Sequence, residues 1–447
     1  DGDGVDIISS VEQMTFSNIS VGLWTLVPFT QVEGTNDPER LEGTPGHDVI
    51  KGKDGDDLLL GFEGSDELIG GRGNDILDGG PTSDDDNFNR DAANYIDEFF
   101  NGGTQGVTVN LATGVATDAY GGTDTLIEIE RVYGTNFDDV LIGSDETATG
   151  EAFDPYGGND TIHGGNGEDR LFYHLSEGVG GLGGITATFD TVTEGSGTVL
   201  DPFGDTDTFT GIRELRATQV ADTIMGGAGR QIISALDGAD TIDGGAGIDE
   251  IRFDQDANYG GTFALNLDME LVDGSGYATA TDGWGNSDLI RNVEDIRGTG
   301  SNDFIGGDAA ANTFKGRSGD DVLEGRGGDD TLHGENGADM LDGGIGEDIL
   351  LGGIGNDTLT GGSGNDWMNG GLDADTFVFA AGDGNDIVAD FSVGEDALLF
   401  QAGLTITSHT EADVDGEVGL DTVLNLSSGD TITLPGVSGI TDTSVLF

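Results

Sequence analysis

Between Gly298 and Val378 one nine-residue unit, close to Gly-Gly-x-Gly-x-Asp-x-Leu-x, repeats nine times without a gap. Position one is Gly in every unit from Gly298 to Gly370. Position six carries Asp303, Asn312, Asp321, Asp330, Asp339, Asp348, Asp357, Asp366 and Asp375, and position eight is always large and apolar, from Ile305 to Phe377. A unit this short cannot bury its apolar face alone, so a strict period predicts stacked copies. Glycines at positions one, two and four are expected to bend the chain through positive φ. The last three residues then form a short strand with position eight inward and its neighbours outward. Such strands stack as a parallel coil, one nonapeptide per half-turn and two per 18-residue winding, with like turns about 4.8 Å apart. The expected fold is all-β, a parallel β-roll or β-solenoid.

The same frame recurs earlier. An array over 43–80 has Asp48, Asp57, Asp66 and Asp75 at position six; a second over 134–172 has Asp139, Asp160 and Asp169; a third over 217–252 has Asp222, Gln231, Asp240 and Asp249. The fourth spans 298–378. Segments 81–133, 173–216 and 253–297 separate the arrays and end in related phrases, so that Asp124, Asp207 and Asp288 each precede the next array's first position-six Asp by 15 residues. Alternating stretches such as Val107–Leu111 and Phe263–Leu267 read as strands, which makes these segments β-rich inserts in the same solenoid. Residues 1–42 read as a truncated β-rich flank and 379–447 as a C-terminal β cap that covers the last coil. The second turn after each insert is expected to lose its acid, to Gln231, to Asn312, and to a disrupted stretch around Ala148 and Gly150. An amide offers an oxygen but no charge, so weak or empty cation positions are expected there.

Stacked windings bring one carboxylate above another, and like charges that close repel unless a cation lies between them. Carboxylates and peptide carbonyls at flexible geometry suit Ca²⁺ better than Mg²⁺. Zinc is disfavoured, because there is no Cys and the five His residues have no paired spacing. His163 and His333 fall at outward positions and His47 on a turn, where a solvated role is expected.

These repeats resemble those of the RTX, or haemolysin-type calcium-binding, proteins, whose nonapeptide is a known calcium-binding β-helix repeat. The resemblance implies a β-roll with Ca²⁺ between consecutive turns. The ligand role it implies is carried onto the acids at position six alone: Asp48, Asp57, Asp66, Asp75, Asp139, Asp160, Asp169, Asp222, Asp240, Asp249, Asp303, Asp321, Asp330, Asp339, Asp348, Asp357, Asp366 and Asp375. The order of repeats, β-rich cap and short apolar end Ser444-Val445-Leu446-Phe447 is similar to RTX proteins secreted by the bacterial type I route. It implies that machinery as a partner and an extracellular location.

Sixteen basic against 86 acidic residues leave a net charge of −70 on 447 residues. High net charge with modest hydrophobicity favours disorder, and a ligand that binds only the folded state supplies stability by linkage. The expected behaviour is a calcium-triggered folding module serving secretion and extracellular stability of a larger protein. The opening Asp1-Gly2-Asp3-Gly4-Val5-Asp6-Ile7-Ile8 already fits a nonapeptide, so this is expected to be the C-terminal part of a longer chain. No apolar run reaches 18 residues, which disfavours a membrane span, and the charge disfavours nucleic acid. No HExxH or GxSxG occurs, so no catalytic residue is expected here. The alternatives are an adhesin or carbohydrate-binding surface, with polysaccharide as partner, or the tail of a secreted enzyme whose catalytic domain lies upstream.

Overall fold

The computed structural model describes residues 30–81, 90–145, 150–412, 421–438 and 446. The expected nonapeptide at residues 1–8, Ala148, and the terminal residues 444, 445 and 447 lie outside them. The chain forms a coil with two long sheets on opposite sides, one of 19 strands and one of 22. Successive half-turns alternate between the sheets, so outside the inserts and the C-terminal cap a strand pairs in parallel with the strand one winding later. Thr331–Asn336 pairs with Ile349–Ile354, and Leu332 sits opposite Leu350, 18 residues on. The opposite sheet pairs Met340–Ile345 with Thr358–Ser363 in the same register.

Position-eight side chains fill the space between the sheets. Ile50, Leu77, Leu141, Ile224, Phe314, Leu323, Leu350 and Phe377 are all fully buried. Their neighbours at positions seven and nine face out, which gives the alternating burial of Thr313–Ser318 and its equivalents. The hydrophobic effect therefore acts along one thin continuous core.

The last array differs from the sequence expectation in strand length. Seven of its strands run six residues, from position seven through position three of the next unit. Pairing resumes after position one because position two turns through positive φ, held by Arg317, Arg326 and Glu335 as well as by Gly344 and Gly353. Position four also has positive φ, as at Gly319 and Gly337. Position one does not. Its glycine serves close approach: a Cβ on Gly316 would collide with Asp321 Oδ2 and press on the Gly334 carbonyl oxygen. The expectation of a positive-φ turn at position one is corrected accordingly.

Each insert is built into the coil. In the first, Thr108–Asn110, Val115–Thr117 and Thr123–Ile127 form an antiparallel meander. One edge pairs in parallel with Ile76–Asp78 and the other with Val140–Ile142. The second and third inserts repeat this plan. The coil also begins before Gly43, since Arg40–Glu42 pairs with Leu58–Leu60. At the other end Ile406–Ala412, Asp421–Leu426 and Thr431–Leu434 pair antiparallel and finish one sheet.

Candidate metal centres along the coil

Every position-six acid lies on one of two columns of stacked carboxylates. Asp321 Oδ1 accepts the backbone N–H of Asp303 at 2.7 Å, Asp339 Oδ1 that of Asp321 at 2.8 Å, and Asp357 Oδ1 that of Asp339 at 2.8 Å. The opposite column runs from Asn312 to Asp330, Asp348 and Asp366 in the same way. One oxygen of each carboxylate is thus fixed by the winding before it.

The second oxygen is the informative one. In Asp57, Asp66, Asp75, Asp160, Asp169, Asp240, Asp249, Asp321, Asp330, Asp339, Asp348, Asp357 and Asp366, Oδ2 is buried with no hydrogen-bond partner. Buried polar atoms are almost always paired, and an orphaned carboxylate oxygen carries the full desolvation cost of a charge. Burial accordingly pushes the Asp66, Asp321 and Asp330 carboxyls up to about 7, with carboxylates of the same column adding to the shift. Except at Asp160 and Asp240, whose position one is Pro155 and Ala235, each oxygen lies in the cleft kept open by the position-one glycine. A Cβ on Gly325 would meet both Asp330 Oδ2 and the Gly343 carbonyl oxygen of the next winding. Among the described residues no three acidic or imidazole side chains converge on a point that could hold a metal. A cation here would therefore draw most of its ligands from backbone carbonyls, with few carboxylates per ion, an all-oxygen set that suits a hard ion with adaptable geometry.

Four of the expected ligands differ. Asp48, Asp139, Asp222 and Asp303 open their arrays, and each is capped by a threonine four residues earlier. Thr299 N–H donates to Asp303 Oδ2 at 2.6 Å and Thr299 Oγ1 to Oδ1 at 2.7 Å. Thr44, Thr135 and Thr218 cap the other three. Asp375 continues its column, with Oδ1 accepting Asp357 N–H at 2.9 Å.

The columns also hold acids that the nonapeptide frame missed. Asp91 accepts the Asp66 amide at 2.7 Å and keeps a buried, unpartnered Oδ2. Asp386 and Asp396 accept the amides of Asp366 and Asp375. Asp124, Asp207 and Asp288 continue the columns through the inserts. The signal for Asp91 was an inward Ala93 in place of Leu or Ile. In the second array the expected loss of acid does not occur: Phe153 is the inward residue, opposite Leu171, which puts Glu151 at position six. Gln231 and Asn312 do hold the position as amides.

The fold and its carboxylate columns define a calcium-binding parallel β-roll. The model of the RTX calcium-binding nonapeptide repeat matches residues 33–61, 42–77, 60–85, 156–174, 217–251, 306–341, 315–350 and 342–377. These segments are RTX calcium-binding nonapeptide repeats, which bind Ca²⁺ at multiple sites. No curated protein matches the chain. Among 33 matching chains of solved structure is the extracellular lipase LipA of Serratia marcescens. It is 20% identical with a TM-score of 0.21, and the match covers 50% of this chain and 38% of that one. No described helix is long and apolar enough to cross a membrane.

Proposed function

We propose that this chain is a calcium-dependent folding module that serves the secretion and extracellular stability of a larger protein. The observation that carries this reading is the pair of columns with one carboxylate oxygen bonded and the other buried and orphaned. Without a cation these buried charges oppose the coil, and the net charge of −70 opposes compaction further. With calcium each orphan gains a ligand bond present only in the folded state. At a free concentration ten times a site's Kd, each site adds about 1.4 kcal/mol. Extracellular calcium modules commonly have Kd values of about 10⁻⁴ to 10⁻³ M, which keeps such a chain unfolded where calcium is submicromolar. An unfolded chain suits passage through a type I channel, and millimolar calcium outside suits its folding.

Far-UV circular dichroism tests this. The chain in chelator, titrated with Ca²⁺ and separately with Mg²⁺, is expected to pass cooperatively from coil to β near millimolar Ca²⁺ only. Full β structure in chelator would sink the folding role.

One observation favours the second reading, a surface that binds an acidic polysaccharide. Seven of the chain's 16 basic residues, Arg90, Arg131, Arg170, Arg216, Arg252, Arg297 and Arg317, line one groove of about 540 Å³ on the outer face of the 19-stranded sheet. Arg131 and Arg216 also lie 4.6 Å over Tyr133 and 4.5 Å over Phe172. Glu214 bridges Arg170, Arg216 and Arg252, so the groove is in part a self-neutralising network. Electrophoresis of the calcium-loaded chain through polygalacturonate and through neutral dextran separates the cases. Retardation by the polyuronate alone, lost in R252A, supports binding, and equal mobility in both gels removes this reading.

A further inference from the structure

Strand pairing sets the course of the arginine groove. Its lining is drawn in turn from strands that lie side by side in the 19-stranded sheet. Glu67–Arg72 pairs with Ala92–Asn94, and that strand with Arg131–Tyr133. The pairing runs on through Ala152–Asp154, Asp169–Phe172, Ile212–Arg216 and Ile232–Ser234. It then passes Glu250–Arg252 and Asp295–Arg297 and reaches Thr313–Ser318. Glu67 lines one end of the groove and Arg317 the other. Ten adjacent strands at about 4.8 Å give it a length of about 43 Å, directed along the coil and across the strands. A volume of about 540 Å³ drawn out over that length makes a narrow trench, not a pocket.

The basic residues are spread evenly along it. Arg131, Arg170, Arg216, Arg252, Arg297 and Arg317 stand on six of the last eight strands, never more than two strands apart. A guanidinium therefore recurs about every 5 to 10 Å. The acids of the groove lie deeper. The Glu214 side chain is 3% exposed and that of Asp254 6%, while those of Arg252, Arg297 and Arg317 paired with them are 17%, 23% and 42% exposed. Each guanidinium has five N–H donors in a planar fork, so an ion pair on its buried side fixes it and leaves donors for an anion on its open side.

We infer that the groove takes a linear polyuronate laid along the coil axis, with Arg131 and Arg317 engaging one and the same polymer chain at places about 34 Å apart, seven strand spacings. Exposed ion pairs are individually weak, so binding accumulates along the row instead of residing in one strong subsite. The inference deepens the polysaccharide-binding reading and rests on it.

Affinity electrophoresis of the calcium-loaded chain through polygalacturonate tests it, with far-UV circular dichroism as the check that each variant folds. R131A and R317A are each expected to reduce the retardation, and the double variant to reduce it further. Trigalacturonate is too short to reach both arginines. As a soluble competitor it is expected to release the chain at least about tenfold less well than free polymer at equal uronate concentration. Retardation unchanged in either variant, or trigalacturonate that competes as well as polymer, overturns this inference and leaves polysaccharide binding standing. If a variant does not fold, the competition decides alone, since it uses the parent chain. A parent chain that is not retarded removes the polysaccharide-binding reading and this inference with it.

Discussion

Gln231 turns its amide onto its own loop: Nε2 donates to the Gly229 carbonyl oxygen at 2.7 Å, where its neighbours in the column present a negative oxygen to the cleft. Oε1 is also engaged, by Gly227 N–H at 3.1 Å. The turn is satisfied by the side chain itself and needs no cation. Q231D is therefore expected to add one Ca²⁺ per chain in equilibrium dialysis. N312D is expected to do the same, since Asn312 Nδ2 likewise spends its hydrogen on the Glu294 carbonyl oxygen.

Protons and calcium compete for the same orphaned oxygens. Asp66, Asp321 and Asp330 are raised to about 7 in the coil by burial, from 3.8 in the unfolded chain. The native state then binds more protons than the unfolded state between those values, so stability falls as pH rises through that window. In chelator, β structure is expected to grow as pH is lowered from 8 towards 5. The calcium concentration at the folding midpoint is expected to fall over the same range, because protons on the native carboxyls already favour the coil. A midpoint independent of pH between 8 and 5 would refute the coupling.

Leu341 is buried between the sheets at 1% exposure, whereas Ile345 on the same strand is 69% exposed. L341A is expected to cost about 2 to 5 kcal/mol in calcium-saturated urea melts. I345A is expected to stay within about 0.5 kcal/mol. Similar losses in both would mean that position eight does not face a packed core.

Gly334 and Gly300 both lack positive φ, so together they isolate the close-approach use of glycine. A Cβ on Gly334 would collide with Asp339 Oδ2 and the Gly352 carbonyl oxygen, and one on Gly300 meets nothing within 4 Å. G334A is expected to weaken calcium binding and lower the melting temperature in calcium, while G300A leaves both unchanged. Equal tolerance would show that position one is not reserved for the cleft.

The nonapeptide period made the coil legible because two requirements, a buried position eight and a stacked position six, recur at one spacing. Legibility failed where a residue met only one of them. Asp91 is followed by a small inward Ala93, and Glu151 follows an irregular stretch that shifts the frame, so neither registers as a repeat although both stand in the columns. The threonine caps of Asp48, Asp139, Asp222 and Asp303 were written in the sequence as Thr four residues before Asp. Only the hydrogen bonds show that the threonine takes the oxygen left bare elsewhere.

The columns have a direction. Each winding gives its amide hydrogen to a carboxylate of the winding that follows, from Asp303 to Asp321 and on to Asp339. Cutting the coil at its two ends is therefore not equivalent. Loss of the first windings bares carboxylate oxygens, which water solvates well, together with strand N–H groups such as that of Val322, which donates to the Asp303 carbonyl oxygen. Loss of the last bares the N–H groups of Asp366 and Asp375. Asp386 and Asp396 fill that need beyond the final repeat. The segment after the last nonapeptide thus supplies the acceptors that close both columns.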